Sequence, residues 1–158
     1  LEGYDVMLLD TGAGIAETVL QCNLLAPRNI VVLNRELTSI TDAYALMKVM
    51  HQIFGRDAFS LVVNAVADER EGEKIFRHVD GICRRFLGFA ADYLGPVYRD
   101  EAVPRSILRQ APLVLADPGS KTSACFDRIA GAVQRWGRPS PPVQATAGTE
   151  VGARGILH

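Results

Sequence analysis

Three residue types that often mark chemistry are scarce in this sequence. Tryptophan occurs once, and cysteine and histidine occur three times each, as Cys22, Cys83, Cys125, His51, His78 and His158. The cysteines are odd in number and far apart, so they match neither a disulfide framework nor the paired spacing of a zinc site. We therefore expect buried, reduced thiols, and the scattered histidines predict no metal centre.

The sequence also lacks an excess of charge of one sign and a long apolar run. Lys and Arg number 17 against 18 Asp and Glu, a net charge of −1, so no polyanion-binding surface and no nucleic-acid partner are indicated. No apolar run approaches the roughly 18 residues of a membrane span, and the first residues lack the pattern of a signal peptide. The composition predicts a single cytoplasmic domain.

The most informative stretch lies at the start of the chain. Residues 4–9 form an apolar run without alternation, typical of a strand buried on both faces of a parallel sheet. The run ends in Asp10 and two glycines, where open α/β sheets bind ligands and where backbone N–H groups can approach an anion. Asp10 could therefore hold Mg²⁺ through water. The alternative is a turn and a helix cap without chemistry.

Strand and helix patterns alternate along the next part of the chain. Apolar residues recur at helical spacing over 16–25, 43–54 and 72–87, which predicts three helices. Apolar runs over 29–34 and 59–66 predict two more buried strands, and a polar loop is expected over 35–42. Alternating elements with short connections predict an α/β fold, in which a mostly parallel sheet has helices on both faces.

The pattern is weaker after Gly88. It predicts a strand over 91–97, a short helix over 104–110 and a last helix over 120–136. Residues 113–122 imitate a phosphate-binding loop, but Ser120 separates the single glycine from Lys121, so we predict that Ser120 caps the last helix. Residues 137–158 are rich in Gly, Pro, Ala and Thr. We predict a domain over 1–136 and a flexible, disordered tail over 137–158.

Several strings of this sequence resemble one protein family. Asp-Thr-Gly-Ala-Gly-Ile at 10–15 and Thr-Ser-Ile-Thr-Asp-Ala-Tyr-Ala-Leu at 38–46 are specific, and the segments 61–64 and 94–103 support them. Together they resemble the carboxyl-terminal half of a MinD/ParA-type ATPase, most closely the flagellar-number regulators of the FlhG/FleN/YlxH branch. The resemblance covers residues 4–136, and it implies a partial SIMIBI-type P-loop NTPase fold without its N-terminal strands.

The resemblance implies where ATP and Mg²⁺ would bind. Asp10 would be the Walker B carboxylate, serving both catalysis and the metal ion. The switch II turn, which responds to the γ-phosphate, would consist of Thr11, Gly12, Ala13 and Gly14.

The resemblance also implies groups around the base and the partner. Asn64 would read the adenine, because an amide can donate to and accept from a purine edge; from the residues alone, a side chain satisfied by a local turn is the alternative. Asp100 would lie near the base and ribose. Glu36 would lie near a dimer or partner surface that extends to Tyr44.

The resemblance implies a control of flagellar number or placement through an ATP-dependent dimer switch. The implied partners are a second copy and flagellar regulator or assembly proteins; membrane association is possible in the parent protein but not supported by residues 152–158. The family's deviant P-loop pattern does not occur in these residues, so we expect this chain alone to bind ATP weakly and not to hydrolyse it. Arg35 and the string Tyr98-Arg99-Asp100 also depart from the family, which usually has a proline and Pro-x-Asp there.

Two other classes of function stay open from the sequence. The chain could be a non-catalytic interaction module built on the partner face over 36–44. It could also be a receiver-like phospho-acceptor domain, although the acidic pair and the Met-Pro turn of receivers do not occur at the expected places.

The resembled topology makes one further expectation. A strand would be missing between residues 4–10 and 29–34, which would leave unpaired backbone groups beside apolar faces. We therefore expect the chain to self-associate, unless the missing part of the fold is supplied.

Overall fold

The computed structural model describes residues 6–136. It contains six helices and three strands within this range. In chain order they are α1 Glu17–Leu25, β1 Asn29–Leu33, α2 Leu37–Phe54, β2 Phe59–Val66, α3 Glu69–Phe86, β3 Asp92–Tyr98, α4 Ala102–Leu108, α5 Leu113–Ala116 and α6 Lys121–Gln134. The expected tail over 137–158 lies outside the described residues.

The three strands form one parallel sheet in the order β1-β2-β3. Residues of β1 pair in register with β2, from Asn29 opposite Phe59 to Leu33 opposite Val63. Helix α2 connects β1 to β2, and helix α3 connects β2 to β3. The predicted alternation of strands and helices around a parallel sheet is therefore confirmed, and the predicted strand over 59–66 has the observed limits.

The sheet is covered by helices on both faces, as predicted. On one face, apolar side chains of the strands pack with α2 and α3 around Met47, Met50, Val79 and Cys83. On the other face, Val62 and Val97 pack against Cys125 of α6, with Ile129 beside them. The buried strand residues are contiguous along β2, because a central parallel strand has a helix layer above and below it.

Helix α2 begins earlier than the sequence predicted. Its first residue is Leu37, so most of the expected polar loop over 35–42 is the first turns of the helix. The polar residues there satisfy local backbone groups: Ser39 Oγ accepts from Asn34 N–H at 3.0 Å, and Thr41 Oγ1 donates to the Leu37 carbonyl at 2.8 Å. The helix ends at Gly55, whose φ of 64° is the left-handed geometry that glycine favours.

Two other helix starts carry side-chain caps. Asp68 accepts from Glu71 N–H before α3, and Ser120 accepts from Ser123 N–H before α6. The prediction that Ser120 is a cap and not part of a phosphate loop is thus confirmed. The short helix α5, which lies inside the segment that imitates such a loop, was not predicted.

Among the described residues, the expected first strand is not formed. The part of it that the structure describes, 6–9, has no strand geometry, and its side chains are exposed, up to 75% for Leu8. Within residues 6–136, β1 pairs only with β2, so its other edge has no strand beside it. A strand needs a neighbour to satisfy its backbone, and an apolar run alone does not supply one.

Helix α3 approaches β3 closely at Gly72. A Cβ atom on this residue would lie 2.7 Å from Tyr93 Oη and 2.9 Å from Pro96 Cβ. The Tyr93 ring stacks on Phe76 with centroids 4.6 Å apart. The glycine therefore sets the distance between the helix and the last strand.

Two of the three cysteines are buried as expected. Cys83 and Cys125 are buried, whereas Cys22 is half-buried, and all three are free thiols. Burial, assisted by the charge of Asp80, raises the pKa of Cys83 to about 11. This thiol is a core side chain with little thiolate at neutral pH.

Candidate nucleotide-binding edge

The carboxyl ends of the three parallel strands meet at one edge of the sheet. Asn34 follows β1, Asn64 lies near the end of β2, and Arg99 and Asp100 follow β3. This is the edge at which open α/β sheets bind ligands. The structure therefore brings two of the predicted site residues, Asn64 and Asp100, to the ends of neighbouring strands.

Asn64 lies in an irregular part of β2. The pairing of β2 with β3 shifts register between Val63 and Val66, and the intervening Ala65 has a φ of 57°. A left-handed conformation costs an alanine about 1–2 kcal/mol. Asn64 Oδ1 accepts from Ala65 N–H at 2.9 Å, and this contact leaves the carboxamide NH₂ group exposed at the edge.

Arg99 of the neighbouring chain segment donates hydrogen bonds to this irregular part of β2, which we call the bulge. Its Nη2 donates to the Ala65 carbonyl at 3.3 Å, and its backbone N–H donates to the Val66 carbonyl at 2.7 Å. No sequence pattern marked Arg99 as a site residue. Only the register of β2 and β3 places it beside Asn64.

Asp100 is occupied by protein donors. Its Oδ1 accepts from Ala102 N–H at 2.9 Å at the start of α4. This bond, followed by the Thr122 N–H of α6 and the charge of Arg105, lowers the pKa of Asp100. The carboxylate thus lies between the amino termini of two helices, where negative charge is favourable.

The turn between β1 and α2 is fixed by side chains. Asn34 Oδ1 accepts from Glu36 N–H at 2.7 Å, and Asn34 N–H donates to Ser39 Oγ. Glu36 and Leu37 are exposed, with Leu37 at 79%. The face expected to meet a partner is therefore accessible in these residues.

A cleft of about 490 Å³ separates the glycine turn from β1, and we call it the β1 cleft. It is bounded by Leu9, Asp10, Thr11, Gly12, Ala13, Gly14, Asn23, Ile30, Val31, Val32, Thr38, Ser39, Asp42, Ala43 and Leu46. All five residues of the predicted Walker B and switch II segment line it. Asn64 and Asp100 do not, so the structure places the predicted site residues in two groups.

The β1 cleft has a mixed lining. Apolar side chains of β1 form one wall, and Thr38, Ser39 and Asp42 of α2 add polar groups that the sequence marked only as a partner face. At Gly12 and Gly14 a Cβ atom would meet nothing within 4 Å, so the turn has open space around it. Gly14 has a φ of 94°, which strongly favours glycine.

The residues of the β1 cleft could supply only a few of the ligands of a Mg²⁺ ion. Across the described part of the chain, no three His, Cys, Asp or Glu side chains form a cation site. Asp10 supplies one carboxylate beside the cleft. Magnesium in nucleotide sites is typically held by one or two carboxylates together with phosphate oxygens and water, so a single carboxylate is compatible with this role.

Two similar proteins are an antiactivator and a flagellum site-determining protein. The chain is 34% identical to the antiactivator FleN of Pseudomonas aeruginosa over 141 residues, which is 89% of this chain and 50% of FleN. It is 26% identical to the flagellum site-determining protein YlxH of Helicobacter pylori over 132 residues, 83% of this chain and 44% of YlxH. The chain thus spans about half the length of the relatives it matches.

One solved structure shares the fold. The MinD cell division protein of Aquifex aeolicus superposes with a TM-score of 0.65 at 22% identity, covering 89% of this chain and 56% of MinD. No protein-family model matches the sequence. The described residues contain no helix long and apolar enough to cross a bilayer. The similarities in sequence and fold support the resemblance to MinD/ParA-type proteins of the flagellar-regulator branch, over about half the length of those relatives.

Proposed function

We propose that this chain is the carboxyl-terminal half of a regulator that controls flagellar number or placement through an ATP-dependent dimer switch. The observation that supports this most is the similarity to FleN across 89% of the chain. The predicted switch segment lines the β1 cleft beside α2. A change in the glycine turn would thereby reach the exposed partner face at the start of α2.

Each group has a role in this proposal. Asp10 would hold Mg²⁺ through water, and Thr11 to Gly14 would offer backbone N–H groups to an anion in the cleft. Asn64 reads a base at the carboxyl edge of the sheet. Asp100 holds the starts of α4 and α6 next to this edge, so it acts on the ribose side through the position of those helices. Bound Mg-ATP would supply the phosphate charge and the bond that is cleaved.

The chain alone does not hydrolyse ATP in this proposal. Phosphoryl transfer depends on a loop and a lysine that surround the β- and γ-phosphates, and the 158 residues contain no Gly-x₄-Gly-Lys-Ser/Thr pattern. We propose a cytoplasmic protein with a domain over 1–136 that works as a homodimer when the fold is complete. A tail over 137–158 follows this domain.

The test uses a chimera in which this chain replaces the matching half of FleN. We expect the chimera to restore flagellar number in cells that lack FleN and to hydrolyse ATP in vitro. Asp10→Ala should lower turnover at least 100-fold, because Asp10 is the carboxylate that would hold Mg²⁺ at the glycine turn. Asp57→Ala, at the opposite end of β2, is the matched control. Normal turnover of the Asp10→Ala chimera would refute the Walker B assignment.

The isolated chain gives a second test. Titration calorimetry with Mg-ATP should show no binding in the micromolar range. Micromolar affinity would contradict the proposed dependence on a further part of the fold.

A non-catalytic interaction module is the second candidate. The exposed Leu37 and Glu36 at the start of α2 favour it, since a partner could bind this face without nucleotide. A chimera that controls flagellar number equally well with Asp10→Ala would support the module. The relatives give no support to the receiver-domain alternative.

A further inference from the structure

Asn64, Ala65 and Arg99 form a small clasp at the carboxyl edge of the sheet. The peptide groups of Ala65 are held at both ends: its N–H by Asn64 Oδ1 at 2.9 Å and its carbonyl by Arg99 Nη2 at 3.3 Å. We propose that Arg99 is a positioning residue, which fixes the Asn64 carboxamide for recognition of a nucleotide base. This inference rests on the proposed nucleotide function of the same edge.

The strain at Ala65 is the first reason. A φ of 57° is uncommon for alanine, and such a conformation persists only where the surroundings hold it. If Ala65 returned to an extended conformation, its N–H and carbonyl would turn away from both partners. Arg99 therefore stabilises the conformation on which the Asn64 contact depends.

The unused hydrogen-bond donors and acceptor of the Asn64 carboxamide are the second reason. The Ala65 N–H occupies one acceptor site of Oδ1, so the exposed carboxamide keeps two donors and one acceptor site. An amide held in this way fits a base that presents an acceptor beside an amino donor, and it meets a mismatch where two acceptors lie side by side. Adenine has the first arrangement at N7 and N6, and guanine has the second at N7 and O6. Loss of the clasp would reduce this discrimination.

Asp100 does not compete for this role. Its carboxylate accepts hydrogen bonds from the backbone N–H groups of Ala102 and Thr122, so it lies at the amino termini of α4 and α6. Arg99 is exposed and adjacent to the bulge. Of the two neighbours after β3, Arg99 is the one in contact with the Asn64 segment.

The chain offers a matched control. Arg56 Nη2 donates to the Leu24 carbonyl at 2.8 Å, which is the same kind of arginine-to-carbonyl bond at a place remote from Asn64. Arg56→Lys should thus reproduce any general effect of losing such a bond. It should not alter the behaviour of Asn64.

The test is NMR on the monomeric fraction of the full 158-residue chain, with adenosine and guanosine monophosphates as probes. We expect wild-type χ1 couplings of Asn64 to show one rotamer, and its carboxamide shifts to change at least threefold more with the adenine probe. Arg99→Lys should average the couplings and remove the difference between probes. Adding Ala65→Gly to Arg99→Lys should restore both, because glycine adopts φ near +57° without strain.

Two results would overturn the inference. One is an Arg99→Lys variant with unchanged Asn64 couplings; the other is a failure of Ala65→Gly to restore them. If neither probe shifts Asn64 in the wild type, base binding at this edge is refuted. The Asn64 couplings then decide separately whether Arg99 positions the side chain.

Discussion

Two lysine substitutions at exposed apolar residues, Leu8 before the glycine turn and Val32 on β1, should strongly reduce self-association of this chain. Leu8 is 75% exposed and Val32, on the outer strand β1, is 59% exposed. Beside them, β1 has an edge without a strand in the described residues. An apolar surface next to an open strand edge recruits other chains. We therefore expect the wild-type chain to associate and the variant Leu8→Lys/Val32→Lys to remain mostly monomeric.

The size of the effect follows from the exposed apolar surface. Full burial of a Leu or Val side chain stabilises by about 1.5–3 kcal/mol. Since somewhat more than half of each side chain remains to be buried, the pair contributes about 2–4 kcal/mol per copy that buries it. This corresponds to a factor of about 30 to 700 in the association constant. The charges on an exposed edge add to the effect.

Sedimentation velocity over a concentration series measures this change. Ile107→Lys/Leu108→Lys is the matched control, because both residues are exposed but lie on α4, away from the cleft. The control should associate like the wild type. A monomeric wild-type chain, or an equal effect of the two double variants, would refute the open-edge explanation.

Three further predictions concern stability. Gly72→Ala should lower the free energy of unfolding by about 1–3 kcal/mol in urea titrations, because its Cβ would overlap Tyr93. Gly81 lies in the same helix with open space around it, so Gly81→Ala should raise the free energy of unfolding by up to about 1 kcal/mol. Equal effects would contradict the close approach. The pKa of Asp100 is lowered in the folded protein, so the ionised carboxylate stabilises the fold fully above the pKa it has in the unfolded chain. This stabilisation is lost as the pH falls through the folded-state pKa. Asp100→Asn should therefore flatten the acid limb of a stability–pH curve. Since the pKa of Cys83 rises from 9.0 to about 11, stability should decrease from pH 9 to 11. Cys83→Ala should make this decrease smaller, and an unchanged alkaline limb would refute the prediction.

Local patterns were sufficient for the central part of the fold. Strand β2 was predicted with its observed limits, because a run of eight mostly apolar residues favours a central parallel strand. The end of helix α2 was predicted correctly, but its start was not: the helix begins at Leu37, since Ser39 and Thr41 satisfy backbone groups within or beside its first turn. Residues rich in hydroxyls favour helix starts as well as loops.

The predictions that were wrong or incomplete concern residues whose structure depends on partners distant in the sequence. Residues 6–9 have the composition of a buried strand but no partner strand in the described residues. The site shows the same limit: the Asp10 to Gly14 turn was visible in the sequence, whereas Arg99 became a candidate only through the pairing of β2 and β3. The left-handed Ala65 could not be foreseen, because alanine has no preference for that conformation.

The order of the strands in the sheet is also their order in the chain. Each parallel pair is closed by the helix that lies between its two strands in sequence, so the pairing of the strands from β1 to β3 involves no remote segment. Contacts between near neighbours close short loops at low entropic cost and form early in folding. During synthesis, residues 29–98 can thus assemble as the chain emerges from the ribosome. The glycine turn and cleft, which depend on contacts across the open edge, would acquire their final geometry last.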